Sequence, residues 1–182
     1  EIPLDPGEAT TAIRLEAVPD DKLARPVVGH ADGNFVISRL SAAIAPSNNP
    51  PATGRILRIE LTGKEKILSL AAVQIFSGGS NVALRGEAKQ SSTDFDGPAR
   101  FASDGNTDGV FDQSRTTTHT GKATDPWWEV DLKASHSIDR VVVWNRTDAS
   151  PERLNGFRIL LMDENRSVAW RQENQPPPKQ SV

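Results

Sequence analysis

RILRIEL, residues 55–61, places Leu57, Ile59 and Leu61 on one parity and Arg58 and Glu60 on the other. Successive side chains of a strand point to opposite faces, so this stretch has one apolar and one charged side, as a half-buried strand requires. Working outward, TAIRLEAV (11–18), NFVISRL (34–40), LAAVQIF (70–76), WWEVDL (127–132), IDRVVVW (138–144) and GFRILLM (156–162) are runs of similar length, bounded by DG, GG and NG turns. Helical periodicity is scarce between them. Many short strands with polar turns predict an all-β fold, a jelly-roll β-sandwich. Residues 54–76 are expected to form a hairpin inside it, because an isolated hairpin is marginal in water and both apolar faces need a partner sheet.

The proline-rich APSNNPPATG (45–54) reads as a linker, which divides the chain near residue 53. Residues 1–53 are expected to be an additional strand segment, either accessory to the main domain or part of a neighbour, since two or three strands do not make a sandwich. Residues 54–170 form the expected jelly roll, and 171–182, with its PPP, reads as an extended or disordered tail. The 182 residues carry a formal charge of −3, which argues against nucleic acid or a membrane surface as partner. No apolar run approaches the roughly 20 residues of a membrane span. The opening EIPLDPGE lacks the basic and apolar parts of a signal peptide, as an excised mature fragment would. Without cysteine there are no disulfides and no thiolate metal sites.

His30 and His136 stand among polar loop residues and read as surface. Of the pair Trp127–Trp128, alternation sends one ring inward and one outward. SDGNTDG (103–109) offers oxygens at short spacing suited to calcium, although DGN and TDG are also ordinary turns. GxSxG, HExxH and GxGxxG are all missing, so an enzyme is not expected. Arg146 and Arg153 stand at the ends of NRTDASPER (145–153). A guanidinium is a planar fork of donors that must be braced to be useful, and Asp148 is placed to brace Arg146. Read alone, the pair fits a surface salt-bridge cluster as well as it fits a ligand site. His119 alters that balance, with 26 residues between it and Arg146.

Together, His119 and the Arg-x-Asp-x4-Arg of RTDASPER resemble the fucose-binding signature of the F-type lectins, the fucolectin, tachylectin-4 and pentraxin-1 branch of the galactose-binding-domain-like, discoidin-like jelly rolls. NVALRGEAKQSS (81–92), ASDGNTDG (102–109), THTGKATDPWWEVDL (118–132), IDRVVVWNRTD (138–148) and ERLNGFRI (152–159) follow the family in order. The resemblance implies a non-catalytic carbohydrate-binding module for L-fucose or fucosylated glycans. His119, Arg146 and Arg153 would contact the sugar, Asp148 would brace, and Phe111 would wall the 6-methyl. A structural or protein-interaction sandwich is the alternative.

The resemblance also implies structural calcium, held by Asp104, Thr116 and the carbonyls of Phe101 and Asn106. Family members place a glutamate where this chain has Ala72, and adjacent cysteines where it has Ala149 and Ser150. The pieces GRILRIEL (54–61) and ILSLAAVQIF (67–76) precede NVALRG here but close the domain in the family, so the order reads as circularly permuted. Similar modules occur in large multidomain exported bacterial proteins, which implies an extracellular or periplasmic location in a larger protein.

Overall fold

The sequence partitions strand by strand into a two-layered sandwich, seen in a computed structural model that describes residues 51–114 and 116–181. Contacts divide the chain into Glu1–Pro50 and Pro51–Val182, and only the second unit is described below. The strands expected at 11–18 and 34–40, and His30, lie outside the described residues.

In chain order the strands are β1 (Ala52–Leu61), β2 (Ala72–Ser77), β3 (Ser80–Asn81), β4 (Glu87–Gln90), β5 (Trp127–Ile138), β6 (Arg140–Trp144), β7 (Phe157–Met162) and β8 (Val168–Gln175). A single helical turn, α1 (Phe111–Ser114), and three short 3-10 turns interrupt them. One sheet has the order β4-β5-β1-β7-β8 and the other β3-β2-β6, with every pairing antiparallel. The all-β jelly-roll sandwich expected from the alternation is therefore what forms.

Leu57, Ile59 and Leu61 of β1, Trp128 and Val130 of β5, and Phe157, Ile159 and Leu161 of β7 fill the interior. Val73 and Ile75 of β2 and Val143 of β6 meet them from the other layer. The opposite face of β1 is charged. Arg58 binds Glu129 across the strand pair at 2.6 Å and lies 4.3 Å from the centre of the Trp127 ring, while Arg158 pairs with Glu60. Trp128 points inward with no exposed surface, and its indole N–H donates to the Ala99 carbonyl at 2.8 Å.

The expected 54–76 hairpin does not form. β1 lies between β5 and β7 in one sheet, and β2 lies between β3 and β6 in the other. A hairpin would have put both apolar faces on the same layer with nothing opposite. Crossing between layers sets them face to face. The crossing segment turns at Gly63 (φ 116°) and Glu65 (φ 58°), then runs beside residues 118–123, with bonds between Lys66 and Ala123, Leu68 and Thr120, and Leu70 and Thr118.

The tail also differs from a free extended segment. β8 continues past 170 to Gln175, Pro178 is buried, and the Asn145 amide donates to the Gln180 carbonyl at 2.7 Å. Asn145 Nδ2 donates to the carbonyls of Pro178 and Pro151. The prolines pre-set an extended backbone, so its carbonyls can be captured with little further ordering.

Trp128→Ala is expected to destabilise the unit by about 3–5 kcal/mol, because it removes a large core side chain and leaves the Ala99 carbonyl without its donor. Trp128→Phe keeps much of the volume and should cost less. Urea unfolding of both variants measures the two contributions separately.

Candidate functional site

Three loops meet at one end of the sandwich. Residues 91–97 follow β4, residues 104–114 and 116–120 belong to the long connection from β4 to its sheet neighbour β5, and residues 145–153 follow β6. Two glycines allow the loops to approach. A Cβ on Gly97 would lie 2.6 Å from the His119 amide nitrogen, and one on Gly109 would lie 2.6 Å from the Asn145 carbonyl. The backbone bonds these approaches permit run from His119 N–H to the Gly97 carbonyl and from Thr147 N–H to the Gly109 carbonyl, each 2.9 Å.

His119 is only 3 % exposed. Its Nδ1 lies 2.9 Å from the Thr120 carbonyl. A carbonyl can only accept, so Nδ1 carries the proton and Nε2 keeps its lone pair. Burial lowers the imidazole pKa below its usual 6.5; the Thr120 carbonyl opposes this, the charges of Arg153 and Arg146 add to it, and Asp94 acts against it. At neutral pH the ring is thus an uncharged acceptor set among cations.

Arg146 is 6 % exposed. Its guanidinium lies over the Phe111 ring at 4.6 Å, and Phe111 in turn lies 5.6 Å from the His119 ring. Asp148 holds the other edge of the fork, with Nε to Oδ1 at 2.5 Å and Nη2 to Oδ2 at 3.2 Å. Asp112 adds a longer contact to Nη2 at 3.3 Å. Nη1 has no hydrogen bond among the described residues. The same Asp148 carboxylate accepts from the Asp112 and Ala149 amides, which fastens α1 to the arginine turn. Burial pushes the Asp148 carboxyl up, but Arg146 and the two amides outweigh it and bring the pKa down to about 2.

Arg153 stands on the 3-10 turn Pro151–Leu154, entered through Ser150 in the left-handed region (φ 52°). Its side chain is exposed and has no hydrogen-bond or ion-pair partner among the described residues, yet its charge reaches His119. His119, Phe111, Arg146 and Asp148 therefore form one chain of contacts, with Arg153 at its edge. The alternation of the sequence did not point to Phe95, which is 61 % exposed at φ 50° with its ring 5.0 Å from that of His119. Its signal was available: a lone aromatic between Asp94 and Asp96 in a turn, where exposure and a positive φ are both unfavourable without a role.

The loop that carries the expected calcium ligands is closed by its own side chains. Asp104 Oδ1 accepts from the Asn106 amide, Asn106 Oδ1 from the Asp108 amide, and Asp108 Oδ1 from the Val110 amide, so three side chains in succession close the loop. The Thr116 hydroxyl donates to the Asp108 carbonyl at 2.7 Å. Ala72 is buried and brings no oxygen. Among the described residues no three His, Cys, Asp or Glu side chains converge. Asp104 is the one carboxylate of the expected set, and calcium takes six to eight oxygens, waters included.

The depressed Asp148 pKa fixes the sign of an acid effect. Its contribution to stability is complete above the usual carboxyl value of 3.8 and is lost as pH falls through about 2. His119 acts in the same direction at higher pH, its contribution being complete above 6.5 and declining as pH falls below it. In urea unfolding across this range, Asp148→Asn should be less stable than the parent at neutral pH and should lose less stability between pH 4 and pH 2. Parallel curves for the two proteins would show that the carboxylate does not brace the turn.

Residues 101–181 match the family model described as NedA-like, galactose-binding domain. Among curated proteins, the chain is 41 % identical over 86 residues to Fucolectin-1 of Anguilla japonica, covering 44 % of this chain and 48 % of that protein. It is 40 % identical over 90 residues to Fucolectin-6 of the same eel, covering 47 % and 48 %. A shorter stretch of 43 residues is 40 % identical to the Pentraxin fusion protein of Xenopus laevis, covering 24 % and 10 %. The chain thus spans about half the length of the eel relatives it matches. No solved structure matches it.

Proposed function

We propose, for a chain whose described unit is an F-type lectin domain and so a carbohydrate-binding module, that the pocket of His119, Arg146 and Arg153 binds L-fucose or fucosylated glycans without catalysis. The observation that carries this reading is the pairing of a neutral acceptor with fixed cationic donors on an aromatic wall. His119 Nε2 keeps a lone pair, Arg146 Nη1 and the Arg153 fork have uncommitted N–H groups, and Phe111 and Phe95 flank the imidazole. Each hydroxyl of a vicinal pair both donates and accepts, and fucose presents an axial 4-hydroxyl beside an equatorial 3-hydroxyl. Donors and an acceptor placed for that pair would leave polar groups unmatched on a sugar with an equatorial 4-hydroxyl, a strong basis for discrimination. The 6-methyl would rest against Phe111.

The names of the eel relatives support fucose as the sugar. An extracellular or periplasmic location within a larger protein is part of the same proposal. Calcium is proposed only as a weak adjunct held by Asp104, Thr116 and the carbonyls of Phe101 and Asn106, filling at about millimolar ion. A melting temperature that rises only in that range is the expected result, and sugar recognition is not routed through it.

A millimolar sugar site amounts to only about 4 kcal/mol, and one hydrogen bond from a charged group contributes about 1.5–3 kcal/mol. Calorimetry with L-fucose should therefore show binding to the parent and none measurable to Arg153→Gln, a variant that breaks no hydrogen bond or ion pair of that side chain among the described residues. Affinity should hold between pH 8 and pH 7 and fall below 6.5, where protonation of His119 replaces its lone pair with a donor beside two cations. A parent that ignores L-fucose at tens of millimolar would overturn the reading and favour a protein-interaction sandwich.

A further inference from the structure

A groove of about 380 Å³ adjoins the pocket and shares Arg153 with it. Lys66 and Ile67 of the crossing segment form one side and Lys122 the other; the two segments are joined by the paired bonds between Lys66 and Ala123. Lys122 follows His119 by three residues on the same segment. Asn155 also lines it.

The charges in this groove are unbalanced. Lys122 pairs with Glu65 at 3.3 Å. Lys66 is half-buried and its ammonium has no hydrogen bond or ion pair among the described residues, and the Arg153 guanidinium has none either. The remaining acid, Glu152, is exposed. In a chain of net charge −3, three cations against two carboxylates at one groove is a local reversal of sign. A partly desolvated ammonium gains from an anion brought to it, and a planar guanidinium beside it suits an anion with several oxygens.

We propose that this groove is a second subsite for an anionic group, a sulfate ester or a uronate carboxylate, on the sugar linked to the fucose. The proposal rests on the fucose reading of the neighbouring pocket and deepens it from fucose to an acidic fucose-bearing saccharide. Lys66 supplies a point charge, Arg153 spans both sites, Asn155 offers a neutral amide, and Ile67 gives the second ring an apolar floor. Glu65 holds Lys122 back as a rim charge, which makes Lys66 the residue on which the anion preference depends.

Calorimetry of the full chain with methyl α-L-fucoside, a sulfated α-L-fucan oligosaccharide and an oligosaccharide bearing fucose on glucuronic acid tests this. At least one acidic probe should bind the parent about tenfold or more tightly than the fucoside. That advantage should shrink at about 1 M salt, where the Debye length is about 3 Å. Lys66→Gln should bring the acidic probe to within about threefold of the fucoside while leaving the fucoside itself unchanged, which also certifies the variant's fold. Preference for one acidic probe over the other identifies sulfate or carboxylate as the source. Equal binding of all three probes to the parent overturns the groove assignment while the fucose pocket stands, as does equally tight binding of a sulfated oligosaccharide without fucose. If no probe binds, the fucose reading fails and this proposal with it.

Discussion

The Asp148 carboxylate accepts from the Arg146 guanidinium, from the Asp112 amide and from the Ala149 amide, and the arginine wall of the candidate site takes its geometry from those bonds. Arg146 is buried beside a histidine and an aromatic ring, where an uncompensated charge is costly. The Asp112 side chain is 72 % exposed and reaches Arg146 only at 3.3 Å, too weak a counter-ion to hold it alone. Because the same carboxylate captures the amide that follows Phe111, the ring under the guanidinium and the guanidinium itself are placed by one group. Arginine has about 2 kcal/mol of rotamer entropy, and here that ordering is complete before any ligand arrives.

Rigidity on the other wall has a different origin. Gly97 lets the 91–97 loop lie against His119 at a distance no side chain would permit, which fixes Phe95 over the ring edge. His119 is held from below by the Thr120 carbonyl, and Thr120 is itself bonded to the crossing segment. One wall is thus set by charge and the other by close backbone approach. Among the described residues of the site, Arg153 is the exposed donor without a hydrogen bond or ion pair, so the site combines a pre-ordered floor with an adjustable donor.

The alternation in RILRIEL, WWEVDL and GFRILLM made the strands legible, since period 2 with an apolar parity has few other solutions. Their partners were not legible from it. β1 pairs with residues 71 and 98 positions away, and nothing local distinguishes that outcome from a hairpin with β2. The site was legible as a constellation because His119, Arg146, Asp148 and Arg153 fall within short motifs whose spacing resembles a known family. Phe95 fell outside that spacing. The docking of Pro178 and Gln180 onto Asn145 was hidden because it uses backbone carbonyls, which every residue carries and no composition marks. Close approach at Gly97 and Gly109 was likewise invisible, since a glycine in a polar loop reads first as a turn.

The central place of β1 has a consequence in time. During synthesis from the N-terminus, β1 emerges before either strand that flanks it. Arg58 finds Glu129 across 71 positions, and Glu60 finds Arg158 across 98. At about 5–20 residues per second, the nearer partner appears about 4–14 s later. Through that interval β1 has neither of its sheet neighbours, and both edges of the strand are open to any other chain. Arg58 and Glu60, which in the folded sandwich form pairs across the outer face, serve in the nascent chain as charges that keep an apolar stretch from meeting its own kind. The central strand of the larger sheet is the one that waits longest for its neighbours.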